Sequence, residues 1–144
     1  MKARFLAAGV ASGLVLLGGL ACNAAPPTTT PLEGTLWRLT AFQQAEERTY
    51  VIEGTDITAT FEAGAKRVTG RAGCNSYSGG YKLSGRRLAL GPLASTEMFC
   101  PDPPGVMEQE QRYLKALSGA TTYTIEGRTL KVTGGDTTLV FEAK

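Results

Sequence analysis

The sequence contains no histidine. A serine or cysteine nucleophile is normally activated by an imidazole base, so the common hydrolase arrangements are excluded and only lysine or carboxylate variants remain. A structural zinc site fails on the same count. It needs three or four Cys or His ligands at short spacing, and the three cysteines, Cys22, Cys74 and Cys100, are scattered. No Asp-rich loop suggests a hard cation. Of the carboxylates, Glu97 reads as a strand-edge residue, Asp102 as a cap, and Glu108 and Glu110 as solvated helix positions. The expectation is a protein that is not an enzyme and carries no metal or cofactor.

A basic run is also missing. The chain has 15 Lys and Arg against 13 Asp and Glu, and two of the basic residues, Lys2 and Arg4, sit at the extreme N-terminus, leaving 13 against 13 beyond it. A neutral surface gives little of the counterion-release affinity on which nucleic-acid binding depends. No nucleic-acid partner is expected.

The long apolar run is Phe5 to Leu20. Positive residues precede it and small residues lead to Cys22, the pattern of a secretory signal peptide. It is short for a membrane span, which needs about 20 apolar residues and is the alternative reading. Leu20-Ala21-Cys22 resembles a bacterial lipobox, after which the cysteine is acylated and becomes the mature N-terminus, although Gly19 stands where a leucine is usual. Ordinary cleavage leaving a free Cys22 is the alternative. Lipid chains would hold the protein on a membrane, each buried methylene contributing about 0.8 kcal/mol. The following NAAPPTTTPLEG cannot bury enough surface to offset its ordering entropy and reads as a tether. Residues 1–21 are thus assigned to a signal peptide, 22–34 to the lipidated cysteine and tether, and 35–144 to one domain.

Within that domain three stretches can be superimposed: YVIEGTDITA from Tyr50, YKLSGRRLAL from Tyr81 and YTIEGRTLKV from Tyr123. Alternate apolar positions mark half-buried strands, and a glycine at a fixed place supplies a tight turn. A repeated hairpin is one explanation, and chance likeness among β-rich segments is the other. Strand character recurs at 35–42, 56–61, 66–73 and 137–143. Between them, Val106, Met107, Tyr113, Leu114 and Leu117 fall at helical spacing, with Asp102 and the prolines favouring a helix start and Ser118-Gly119 a stop. The predicted class is α+β, mostly antiparallel: a curled meander or open-barrel sheet with one packed amphipathic helix.

The stretch GRAGCNSYSGGY, residues 70 to 81, does not suit a phosphate loop, because a strand-like segment follows Gly79-Gly80 where a helix would be needed. It reads as scaffold. In an exported protein Cys74 and Cys100 favour a disulfide, which would close a loop of about 27 residues and stabilise the fold by roughly 3 kcal/mol, two free buried thiols being the alternative. Asn75 would bond local backbone, and the glycines would bend the chain into the middle hairpin or admit a close strand.

These residues carry a resemblance. Trp37 and Leu39, then Gly73-Cys74-Asn75 with Tyr77 and Gly79, then Thr96, Met98 and Cys100, then Glu110, Tyr113 and Leu117 on the helix, resemble the META domain of the HslJ type. The resemblance spans roughly Thr35 to Ala143. It implies an antiparallel β domain with a helix, and a heat-shock-associated envelope lipoprotein with a role in stress tolerance or novobiocin resistance. In a two-membrane host that would be the periplasmic face of the outer membrane. No catalytic residues come with it.

Three functions are expected from this reading. The first is a non-enzymatic lipoprotein that contacts an unknown envelope protein through an exposed apolar patch. A second, a carrier of lipid or a small hydrophobic ligand, draws on a likeness of family structures to a lipid-binding pilot protein, and would use Trp37, Leu39, Phe61, Tyr113 and Leu117 as pocket walls. The third is a protease inhibitor presenting CPDPPG, residues 100–105, as a proline-stiffened loop.

Overall fold

A computed structural model describes residues 29–144. The segment read as a signal peptide, Cys22 and most of the segment read as a tether therefore lie outside the described residues. Nine strands follow in order, β1 (Leu36–Gln44), β2 (Glu47–Tyr50), β3 (Thr58–Glu62), β4 (Arg67–Arg71), β5 (Ser76–Ser84) and β6 (Arg87–Ser95), then, after the helix α1 (Val106–Ser118), β7 (Thr122–Glu126), β8 (Thr129–Gly134) and β9 (Thr137–Ala143).

Every strand pairing is antiparallel, and β9 returns to β1, so the sheet curls into a ring. Eight strands form that ring, with β2 laid along one end of β1. The ring is uneven. β1 and β9 pair from Trp37↔Ala143 to Gln44↔Thr137, whereas β6 and β7 share the single register pair Arg87↔Thr122. The helix joining β6 to β7 packs on β6, β8 and β9 and so lies across that thin seam. The mostly antiparallel sheet with one helix is the class the residue pattern predicts.

Strand alternation explains the interior. Trp37, Leu39, Phe61, Tyr77, Tyr81, Leu130, Leu139 and Phe141 all point inward, and most are completely buried. Burying each large side chain contributes about 1.5–3 kcal/mol. Phe61 meets Tyr81 edge to face at 5.3 Å, and Tyr113 from the helix meets Tyr77 at 5.6 Å and Phe141 at 6.3 Å. The helix thus plugs the ring with an aromatic cluster.

Two of the three superimposable stretches are hairpins. Ser84 pairs with Arg87 and Glu126 with Thr129, and in each two-residue loop the first residue is a glycine with φ near +60°, Gly85 or Gly127. That position of a primed turn requires positive φ, which glycine adopts without steric cost. The stretch from Tyr50 is different. β2 and β3 both pair with β1, one beyond the other, and residues 51–57 loop out between them. The loop is held by Gln109, which accepts from the Ile52 N–H at 2.7 Å and donates to Thr55 Oγ1 at 3.0 Å. A tertiary partner has overridden a local hairpin signal.

Three further expectations need correction. Gly79-Gly80 does not bend the chain but lies inside β5, where a Cβ on Gly79 would meet Leu93 Cδ2 at 2.5 Å; the irregularity falls on the partner strand, since Gly79 pairs with Leu93 and Tyr81 with Leu90. Asp102 does not cap the helix. Gly105, at φ +86°, occupies the N-cap with no side-chain bond, and the Val106 N–H bonds instead to the Pro103 carbonyl. The packed chain also begins before Thr35: Thr30 N–H bonds to the Gly127 carbonyl, Leu32 is buried, and its carbonyl accepts from Trp37 Nε1 at 2.9 Å.

Candidate functional site

The residues that sequence singled out separate into three groups. Trp37, Leu39, Phe61 and Leu117 are core. They pack among one another and line none of the five principal surface clefts, the largest of which by empty space runs along Gln44, Arg112, Lys115, Ala116 and Gly134 to Thr137.

Tyr77 and Tyr113 form the second group. Their hydroxyls lie 2.6 Å apart, and Tyr77 donates to the Thr58 carbonyl at 2.8 Å. Burial pushes both phenols above their usual range, for Tyr113 with help from neighbouring Tyr77. Gly70 makes this arrangement possible, because a Cβ there would overlap the Thr58 carbonyl and approach the Tyr77 hydroxyl at 2.9 Å. The arrangement satisfies buried polar groups and presents nothing to solvent.

A comparable tie lies elsewhere on the ring. Tyr81 donates to Glu33 Oε1 at 2.5 Å and Lys66 Nζ reaches the same oxygen at 2.8 Å. The Lys66 bond, then the Tyr81 bond, hold the Glu33 carboxyl below its usual range, while burial and Glu33 push the Tyr81 phenol up. It fastens the segment ahead of β1 to the ring.

The third group is the cluster of interest. Between β4 and β5 the chain makes a tight loop in which the Ala72 N–H bonds to the Asn75 carbonyl at 2.7 Å, with Gly73 at φ +118°. Cys74 and Asn75 thereby lie next to α1. Glu110 Oε2 accepts from the Cys74 N–H at 3.0 Å and the Asn75 N–H at 2.6 Å, and its Oε1 accepts from Asn75 Nδ2 at 2.6 Å. The Asn75 amide then reaches outward. Its Nδ2 also donates to the Met98 carbonyl at 3.0 Å, and its Oδ1 accepts from the Met98 N–H at 2.8 Å and from Thr96 Oγ1 at 2.7 Å. Cys74 and Cys100 are joined, with Cα atoms 5.9 Å apart, inside the separation a disulfide requires.

The consequence is a loop whose backbone is fixed from within while its side chains stay outside. Residues 95–99 are all exposed. Met98 and Phe99 expose 57% and 79% of their surface, and among the described residues only Leu36 and Tyr50 are other large apolar side chains left exposed. The Cys100 N–H is directed to Met107 Sδ at 3.5 Å.

Sequence reasoning placed two residues wrongly and missed others. Asn75 bonds residues more than 20 positions away, not local backbone. Glu110 is buried and central, not solvated. Gln109 is buried beside it, whereas Met107 and Leu114, expected on the apolar face, are only partly covered. The signal was present in the spacing, since Val106, Gln109, Glu110, Tyr113 and Leu117 form one helical stripe, but polarity concealed it. The exposure of Phe99 was not foreseen, because exposure is invisible in one sequence. Residues 95–99 are exposed throughout, whereas in the 100–105 stretch expected to protrude Cys100 and Pro103 are partly covered.

No helix among the described residues is long and apolar enough to cross a membrane, and no group of three or more metal-ligating side chains is found among them. What fold and cluster define is a small antiparallel β ring, plugged by one helix, that displays a disulfide-linked loop. The META domain family profile matches residues 30–144, and the chain belongs to that family. A protein from Burkholderia xenovorans, solved by NMR, is similar at 30% identity and a TM-score of 0.68, over 78% of this chain and 83% of its own. A DUF4847 family protein from Bacteroides vulgatus has the same fold at 14% identity and a TM-score of 0.55, over 77% of this chain and 93% of its own. No curated protein matches the chain.

Proposed function

We propose that this is a non-enzymatic protein of the cell envelope, lipid-anchored through Cys22, that acts by docking another protein on the Met98–Phe99 loop. The observation behind this reading is the pairing of strong exposure with strong restraint: two adjacent large apolar side chains face solvent, while Asn75 bonds both backbone groups of Met98. An apolar pair left in water costs solubility, and a pre-ordered loop loses little entropy on binding. The lipobox-like segment ahead of Cys22 supports an envelope location, on the outer membrane of a two-membrane host. A role in stress tolerance or novobiocin-type resistance rests on the likeness to HslJ-type members.

The test has two arms. Cys22→Ala moves the protein from the membrane to the soluble fraction. Met98→Ala/Phe99→Ala leaves the folded domain intact but abolishes a specific photo-crosslink from residue 97 and the protective effect in the host. Retention of both by the double variant would refute the docking reading.

A further inference from the structure

The two residues that hold the exposed loop are neighbours in sequence, and they hold it on either side of one peptide bond. Asn75 bonds the N–H and carbonyl of Met98, immediately before Phe99. Cys74 is bonded covalently to Cys100, immediately after it. If the Phe99–Cys100 bond were cut, the acyl side would remain on Asn75 and the amine side on Cys74, one residue apart on a segment anchored by Glu110. Phe99 itself is the most exposed large apolar side chain among the described residues, on a loop that a concave partner can receive.

Resting on the docking reading above, we infer that the partner is a serine endopeptidase with an apolar specificity pocket, and that residues 96–100 enter its cleft as a substrate that cannot leave. Phe99 fills the pocket. The proteinase serine oxygen adds to the Phe99 carbonyl carbon, and its proton passes through the enzyme's histidine to the Cys100 nitrogen as the carbon–nitrogen bond breaks. In an ordinary substrate the amine then diffuses away and water takes its place. Here the Cys100 amine stays beside the acyl group, attacks it, returns its proton through the same histidine and releases the serine. Restraint favours this reversal because the two ends behave as one molecule, at an effective concentration far above that of a free peptide. Proteinase–inhibitor interfaces of modest area reach high affinity through such pre-ordering and a central anchor side chain.

The experiment uses the purified oxidised protein and three probes: chymotrypsin, subtilisin and trypsin. Expected is stoichiometric inhibition of chymotrypsin or subtilisin, with slow appearance of one cut between Phe99 and Cys100 in a chain still held together by the disulfide. Phe99→Lys, which touches no buried contact, weakens that inhibition by about 30-fold or more and confers inhibition of trypsin. Asn75→Ala turns the loop into a rapidly cleaved substrate, and the Phe99→Lys arm decides the matter if that variant does not fold. Absence of inhibition, or fast cleavage by the unaltered protein with full proteinase activity, overturns the inference. In that case a crosslink from residue 97 that Phe99→Ala abolishes would leave the docking function standing with a partner of another class.

Discussion

One oxygen of Glu110 accepts the backbone N–H of both Cys74 and Asn75, 36 and 35 residues away in the chain. The second oxygen takes the Asn75 side chain, so a single helix residue orients everything that reaches the exposed loop. Glu110→Ala leaves three buried donors without an acceptor and is expected to cost about 3 kcal/mol or more. Glu110→Gln keeps one carbonyl oxygen and should cost less. Urea unfolding of the two variants against the parent checks both the size and the order.

Phe99→Ala is expected to change the unfolding free energy by no more than about 0.5 kcal/mol, because the side chain is exposed. A loss of several kcal/mol would show that Phe99 is structural and would remove the main reason for regarding the loop as a display.

The disulfide closes a loop with a sequence separation of 26. Cys74→Ala/Cys100→Ala is expected to destabilise by about 2–4 kcal/mol, mainly by freeing the unfolded chain. Because Asn75 and Glu110 restrain the same loop independently, the variant should still fold, which circular dichroism and a cooperative denaturant transition would show.

Gly70 and Gly85 make a paired test. Gly70→Ala forces a methyl into the Thr58 carbonyl beneath the Tyr77 hydroxyl and should cost well over about 2 kcal/mol. At Gly85 nothing lies within 4 Å, so Gly85→Ala meets only the strain of φ +59°, about 1 kcal/mol. Thermal melts of the two proteins should differ clearly.

Alkali should unfold the protein through its buried phenols. Burial pushes the pKa of Tyr77, Tyr81 and Tyr113 above the usual phenol range, so they resist ionisation in the fold, whereas unfolded tyrosine ionises near pH 10. Below that pH both states keep their protons and the contribution is fully present. As pH rises above about 10 the unfolded state loses protons that the folded state retains, so stability falls. Phenolate absorbance from these three residues should grow in step with loss of the fold, and Tyr77→Phe should weaken the pH dependence.

Features set by local periodicity were legible in the sequence. Alternation marked the strands, glycine at the first loop position marked the hairpins at Gly85 and Gly127, and Ser118-Gly119 marked the end of α1. Sequence reading failed where a distant partner decides. The Tyr50 stretch carries the same hairpin pattern but loops out because Gln109 holds it, and Asn75, suited to a local turn, is instead committed to Met98 and Glu110. Both failures involve polar side chains on the buried stripe of the helix or bonded to it, where an apolar residue would have been easy to place and a Gln or Glu was not. The disulfide was legible because reading the chain as exported favours pairing Cys74 with Cys100, whereas the exposure of Phe99 depends on the whole surface.

The unevenness of the ring has a kinetic side. Its longest closure joins β1 to β9, so Trp37 finds its register partner Ala143 only when the last strand of the ring is available. Closing so long a loop delays the reward for ordering everything between, and folds dominated by such contacts assemble in milliseconds to seconds, not microseconds. While that happens β1 has an open edge and its tryptophan lacks a cover. Until β9 pairs, the chain is therefore a partial sheet that an unrelated strand can join, and its dependence on chaperones should fall abruptly once β9 is available.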